Sequence, residues 1–156
     1  MMPAEFGLTE VLQFALALVL GLIIGWEREL SRKPAGLKTT TFVTIAGTLI
    51  MQVSLKLQAA GSTGLIGDPA RLGAAALTGI GFLGAGVILQ QRDRVQGITT
   101  AASIWMMTAV GLAIGAGFYQ HSILVVALMI GIFKADDWLD RARERHKPPE
   151  GDNPSP

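Results

Sequence analysis

Acidic residues flank an arginine where the first apolar stretch of the chain gives way to charged residues. Glu27, Arg28 and Glu29 follow Trp26 directly, and Arg94 lies just beyond a later apolar stretch. Charged groups at such boundaries commonly form interfacial ion pairs that fix helix ends, with the long side chains reaching toward water. A second hypothesis is that Glu27 faces a helix bundle and pairs with Arg94 across two of its helices.

Carboxylates are also the ligands that Mg²⁺ prefers, since it binds through one or two of them and keeps several waters. Glu27 and Asp68 are the candidate ligands, but the topology inferred below places them on opposite faces of a membrane, ~25 Å or more apart. Asp68 also precedes Pro69, an order typical of a helix N-cap followed by proline at the first helical position. The spacing therefore predicts no metal site, and Glu27 and Asp68 remain the only candidates if an ion binds.

The residue types needed for covalent or metal-assisted catalysis are scarce. The chain has no cysteine, and its two histidines, His121 and His146, lie too far apart to suggest a zinc site. Gly79–Gly84 fits the G-x-G-x-x-G pattern of dinucleotide sites, but that pattern requires a preceding strand, and here it lies inside an apolar stretch. We find no nucleophile, base or metal constellation at usable spacing and predict that the protein is not an enzyme.

The elements that position these residues follow from hydropathy. Half of the 156 residues are apolar, and the charged residues are bunched between long apolar runs, as in membrane proteins. The uncharged run from Ile98 to Phe133 would be ~54 Å long as one helix, against a hydrocarbon core of ~30 Å, so we expect two spans joined near residues 115–122. We predict an all-α, polytopic membrane helical bundle of about five transmembrane helices, at about Leu8–Trp26, Thr39–Leu55, Leu72–Leu89, Thr99–Gly117 and Ser122–Lys134.

The third segment carries a face of small residues. Ala74, Thr78, Gly81 and Ala85 follow one another at helical spacing. Because lipid provides no hydrophobic drive between helices, small residues that allow close backbone approach are what make membrane helices pack. We therefore predict that this segment is the central helix of the bundle.

Beyond Lys134 the sequence becomes amphipathic. An apolar stripe that includes Trp138 and Leu139 lies opposite acidic and basic residues, which is typical of a helix on a membrane surface or a helix-pairing face. The end of the chain is polar and rich in proline. We predict a transmembrane helical domain at residues 1–135, a cytoplasmic amphipathic helix at 136–147 and a disordered tail at 148–156.

Basic residues predict the orientation. Five spans put the loops after segments one and three and the C-terminal end on one side. These regions hold eleven of the thirteen Lys and Arg, and only Lys56 and Arg71 fall on the other side. By the positive-inside rule, the N-terminus lies outside the cell and the C-terminus lies in the cytoplasm.

Several short motifs occur in a fixed order between about Gly21 and Tyr119. They are Gly25–Glu29, Lys33–Thr39, Asp68–Arg71, Thr78–Leu89, Arg94–Ala102 and Trp105. This ordered set resembles the MgtC/SapB family of bacterial inner-membrane proteins. Lys38 stands where the family often has Arg, and Thr40 where it often has His. Many members also carry a soluble C-terminal domain, whereas this chain ends with the amphipathic stretch and tail.

Motif residues are the predicted structural or interaction positions. They are Glu27, Arg28, Glu29, Pro34, Gly36, Asp68, Arg71, Gly79, Gly81, Gly84, Gly86, Arg94, Gly97, Thr99 and Thr100. The resemblance implies a multi-pass protein of the bacterial inner (plasma) membrane. We predict no cofactor, with Mg²⁺ as the one alternative, and no nucleic-acid partner.

The resemblance also implies a function, since the family is linked to growth in low magnesium and to survival inside host macrophages. We expect a membrane regulatory protein that acts through other integral membrane proteins, with the F-type ATP synthase as the partner that the resemblance suggests. The bilayer and further copies of the chain are the other expected partners. The alternative is a transporter of magnesium or another cation, which the lack of charge in mid-span disfavours.

Overall fold

The computed structural model describes residues 7–61, 68–91 and 94–145, which form five α-helices and one short β-hairpin. The helices are α1 (Leu8–Leu30), α2 (Leu37–Ala59), α3 (Pro69–Val87), α4 (Ile98–Gly115) and α5 (Tyr119–Arg145). Strands β1 (Leu89–Gln91) and β2 (Arg94–Gln96) pair antiparallel between α3 and α4. The predicted all-α membrane bundle is thus confirmed, and α1 to α4 are each long and apolar enough to cross a bilayer.

Helix α5 runs the length of the same bundle. Near its start, Tyr119 accepts a hydrogen bond from Gln13 in the second turn of α1, and farther along, Phe133 lies under Arg28 near the end of α1. Between those contacts each helix rises by roughly 21–23 Å. Helix α5 therefore follows α1 in parallel, and the break predicted near residues 115–122 lies at Ala116–Phe118.

The tightest packing lies between α2 and α4, which run parallel. A Cβ added to Gly47 would lie 2.5 Å from the carbonyl oxygen of Thr108, and one on Gly115 would lie 2.6 Å from that of Thr48. The Thr48 hydroxyl also donates to the carbonyl of Gly111 at 3.0 Å. Small residues and an interhelical hydroxyl bond are the means by which helices associate in lipid.

Helix α3 is not the central helix, so that prediction was wrong. It packs on α4 and α2, with 11% of its apolar span buried, against 56% for α4. Ala74, Thr78, Gly81 and Ala85 are all exposed. The reason is that glycines on α2 and α4 allow a closer backbone approach, which places those two helices at the centre.

Several element ends differ from the predicted ones. Helix α1 continues through Glu27–Leu30, and α2 continues past Leu55 to Ala59. Helix α5 runs unbroken to Arg145, so the segment predicted as an amphipathic helix at 136–147 continues α5 as far as the structure describes it. Hydropathy misplaced these ends because it detects where the side chains change from apolar to charged. The backbone hydrogen bonds of a helix continue across that change. The predicted tail at 148–156 lies outside the described residues.

Candidate functional site

The turn between α1 and α2 is built by the first two motifs. Glu29 Oε2 accepts a hydrogen bond from the backbone N–H of Leu37 at 3.2 Å, which satisfies a free donor at the start of α2. A Cβ on Gly36 would displace the same carboxylate, and a Cβ on Gly25 would lie 2.7 Å from the Leu37 Cα, where the backbone leaves no room for it. Pro34 is exposed in this turn. Glu29, Gly25 and Gly36 therefore form one structural unit.

Arg28 is buried with 3% exposure at the end of α1. Its Nη2 donates to Glu27 Oε1 at 2.7 Å, and its Nε donates to Glu27 Oε2. Its guanidinium carbon lies 3.5 Å from the centroid of the Phe133 ring, a cation–π contact that ties α1 to α5. Ser31 completes the cluster by donating to Glu27 Oε1 at 3.0 Å.

The hypothesis that Glu27 pairs with Arg94 stays a prediction. The Glu27 carboxylate is bound by Arg28 and Ser31. The backbone of Arg94 pairs with Gln91 in the hairpin, but the Arg94 side chain lies outside the described part of the chain.

The hairpin leads into α4 through Gly97. Its φ of +92° is left-handed, and the Val87 carbonyl oxygen occupies the place that a Cβ would take. Thr100 follows as a buried residue in the first turn of α4, whereas Thr99 is exposed. The motif at Arg94–Ala102 therefore forms the turn from α3 into α4.

The two candidate magnesium ligands lie at opposite ends of the bundle. Asp68 caps α3 by accepting from the Ala70 N–H at 2.9 Å, which confirms the predicted N-cap, and Arg71 is exposed in the next turn. Glu27 lies at the other end, beside the start of α2. In the described part of the chain, no group of three or more His, Cys, Asp or Glu side chains comes together.

The glycines of α3 divide into one packed residue and three open ones. A Cβ on Gly84 would lie 3.5 Å from the Ala101 Cβ of α4. Around Gly79, Gly81 and Gly86 no other described atom lies within 4 Å of such a Cβ. Gly81 lies on the same side of the helix as Ala74, Thr78 and Ala85, and these four exposed residues make an uncovered small-residue surface, called the α3 face below. The Thr78 hydroxyl donates within its own helix, to the Ala74 carbonyl at 2.9 Å, so the α3 face offers little free polarity.

A polar cluster that the motifs do not reveal lies at the end of the bundle opposite Arg28. Gln13 and Gln52 are both more than nine-tenths buried, and Gln52 Nε2 donates to Gln13 Oε1 at 2.6 Å. Gln13 Nε2 donates to the Tyr119 hydroxyl at 3.0 Å, and Lys56 Nζ pairs with Glu10 Oε1 at 2.6 Å. The sequence does contain a signal for this cluster, namely two glutamines inside otherwise apolar spans. Polar side chains are costly in lipid unless they are paired, so each glutamine indicates a partner.

The arrangement of these residues is better suited to binding a partner than to catalysis or metal binding. The predicted motif residues that the structure describes hold helix ends, set a turn, pack between helices or lie exposed. The two distinctive surfaces are the α3 face and the polar cluster around Gln13 and Gln52.

Comparison with known proteins places the chain in one family. A family model described as MgtC family matches residues 14–142. The chain is similar to an uncharacterized protein of Haemophilus influenzae (39% identical; 85% of this chain, 59% of that protein). It is also similar to Protein SapB of Bacillus subtilis (36%; 84% and 58%) and to Protein MgtC of Brucella abortus (38%; 74% and 46%). The chain thus spans about half to three fifths of the length of these relatives. No solved structure matches it.

Proposed function

This chain belongs to the MgtC family, and on that premise we propose that it is a regulatory protein of the bacterial inner membrane. In this proposal it acts by binding the transmembrane helices of another integral membrane protein. The observation that carries the proposal is the α3 face, where Ala74, Thr78, Gly81 and Ala85 are exposed along a helix fit to span a bilayer.

The packing inside this chain supports that use of the α3 face. Where α2 meets α4, Gly47 and Gly111 bring two backbones so close that no Cβ would fit. The α3 face has the same composition but lacks a neighbour in the described chain. A second helix of matching shape would gain dispersion contacts along it that flexible lipid chains supply less well.

The physiological setting comes from the family resemblance, which suggests adaptation to low magnesium and to virulence-type stress. A rotary ATP synthase is a partner of suitable chemistry, because its membrane part is also built of helices. Magnesium transport is less well supported. The charged residues of α1 to α4 lie near the helix ends, whereas an ion crossing lipid is expected to need charge in mid-span.

Photo-crosslinking in the native membrane tests the proposal. A photoreactive amino acid at Gly81 or Ala85 should yield an adduct with one defined partner, identified by mass spectrometry. The control position is Leu128, an exposed apolar residue of α5. Equal labelling from Leu128 and Gly81 would remove the basis for a specific α3 face, and an adduct made only of this chain would indicate self-association instead.

A growth assay and an ion-flux assay together distinguish regulation from transport. In a host that lacks its own family member, the wild-type chain should restore growth in low magnesium, and Gly81→Leu should not, although it accumulates normally. Purified protein in liposomes should show no Mg²⁺ flux above that of empty vesicles. Sustained flux that survives Gly81→Leu would favour the transporter.

A further inference from the structure

An open cleft lies at the end of the bundle where α1 begins and α2 ends. It encloses about 420 Å³, which is within the size range of small-molecule sites. Its lining includes Glu10, Gln13, Gln52 and Lys56, with Leu55 among the apolar lining residues. None of the matched motifs contributes to it, and the proposed partner surface on α3 is separate from it.

Hydrogen bonds hold the two glutamine side chains at the floor of the cleft. Gln13 Nε2 donates to the Tyr119 hydroxyl and, at 3.5 Å, to the Gly115 carbonyl. Gln52 Nε2 donates to Gln13 Oε1 and, at 3.5 Å, to the Glu10 carbonyl. These bonds use all the amide N–H groups and fix both side chains. Gln52 Oε1 accepts no hydrogen bond from the described residues, so it remains an acceptor for a ligand that can donate.

The mouth of the cleft carries one charge of each sign. Glu10 Oε1 and Lys56 Nζ are 2.6 Å apart, and Lys56 is partly exposed. An exposed pair of this kind adds little stability, so a ligand can separate the two groups at modest cost. A simple anion would be repelled by Glu10 and a simple cation by Lys56. A ligand that carries both an ammonium and an anionic group satisfies both residues.

We propose that this cleft binds the headgroup of an ethanolamine phospholipid. The ammonium donates to Glu10 and to Gln52 Oε1, and the phosphate accepts from Lys56. A lipid is favoured over a soluble zwitterion because Leu8, Val11 and Leu12 are exposed on the same turns of α1. These side chains give the acyl chains an apolar surface beside the polar cleft, at a helix end where headgroups lie.

Native mass spectrometry of the full chain in mild detergent tests the proposal. The probes are phosphatidylethanolamine, phosphatidylcholine and phosphatidylglycerol with identical acyl chains. Choline has no N–H to donate to Gln52 Oε1, and glycerol has no ammonium for Glu10. We expect phosphatidylethanolamine to bind about ten-fold more tightly than the other two, as for one hydrogen bond to a charged group.

Variants locate the site. Gln52→Leu should reduce the preference to about two-fold or less, because it removes the acceptor for the ammonium. Lys56→Gln should instead weaken the binding of all three lipids about ten-fold, because it removes the partner of the phosphate that they share. Lys33→Gln, the same change on an exposed residue at the other end, should leave both the preference and the affinity unchanged. If Gln52→Leu fails to fold, Lys56→Gln decides, because it leaves the amide floor intact. Equal affinity of the wild type for ethanolamine and choline lipids, or an unchanged affinity for phosphatidylethanolamine in Lys56→Gln, would overturn the proposal.

A competition arm identifies the source of the headgroup. Glycerophosphoethanolamine has the same headgroup without acyl chains, and we expect it to displace little lipid even in ten-fold excess. Displacement as effective as that by the intact lipid would assign the cleft to a soluble zwitterion and reject the lipid.

Discussion

At the scale of single residues, the charged motif beside the first span is structural. Glu29 caps α2 from eight residues away, and Arg28 is buried between Glu27 and the Phe133 ring. Glu29 accepts from a backbone N–H that the start of a helix leaves unpaired, and the buried charge of Arg28 has Glu27 and the Phe133 ring as partners. The motif therefore positions α1, α2 and α5 relative to one another.

Glu29→Ala removes the cap on the Leu37 N–H. Loss of a capping acceptor costs about 0.5–2 kcal/mol, so the variant should melt at a lower temperature in mild detergent. Asp136→Ala, which removes an exposed carboxylate from α5, is the matched control and should melt like the wild type. Equal melting of both variants would mean that the Glu29 contact contributes nothing.

Arg28→Met leaves Glu27 without its cation and removes the contact with Phe133. We expect a loss of about 1–3 kcal/mol, because the partly buried Glu27 carboxylate loses its charged partner. The double variant Glu27→Gln/Arg28→Met should recover part of this loss, with a coupling energy of at least ~0.5 kcal/mol. Strictly additive losses from thermal or denaturant unfolding would contradict the pair. The same cycle with Arg94→Gln tests the hypothesis that Arg94 shares the carboxylate.

At the scale of elements, two kinds of small-residue face have different uses. The glycines of α2 and α4 lie in a close contact that holds the bundle together. On the α3 face, a Cβ on Gly81 would meet open space, and Ala74, Thr78 and Ala85 are exposed, although these four residues also follow one another at helical spacing. Close packing penalises added volume only where atoms already fill the space.

Gly111→Leu and Gly81→Leu separate these two kinds of face. Gly111→Leu should lower the free energy of unfolding by at least about 1–3 kcal/mol, since the Thr44 backbone occupies the space of its Cβ. Gly81→Leu should leave the melting of the purified chain unchanged, while it abolishes the crosslink to the partner. A large loss of stability in purified Gly81→Leu would show that the α3 face is covered within the chain or by a second copy.

At the scale of the whole molecule, the helices alternate in direction and sort the charges. The described basic residues after α1 and in the last half of α5 lie at the end that carries Arg28. Lys56 and Arg71 lie at the end that carries the cleft. This asymmetry is the physical basis of the predicted orientation, with the cleft outside the cell and Arg28 at the cytoplasmic face.

Single cysteines test the orientation, since the chain has none of its own. A cysteine at Ala60, exposed at the end of α2, should react with an impermeant thiol reagent added to intact cells. One at Lys33, exposed in the turn between α1 and α2, should react only after the membrane is opened. The opposite pattern would reverse the orientation and place the cleft on the cytoplasmic side.

The sequence alone determined the class of protein, the number of long helices and the cap at the start of α3. Hydropathy predicts spans because no backbone polar group can be left unpaired in lipid, and Asp68 before Pro69 predicts a cap by local geometry. These are short-range effects that each segment carries by itself.

Tertiary structure alone decided which helices lie at the centre and which polar residues meet. The small residues of α3 predict that it can approach another helix closely. They do not predict that the closest approach in the bundle is between α2 and α4. Gln13, Gln52 and Tyr119 are separated by 39 and 67 residues along the chain and come together only because α1, α2 and α5 share one end of the bundle. Packing is a competition among all faces at once, so its outcome depends on the complete set of helices rather than on any one of them.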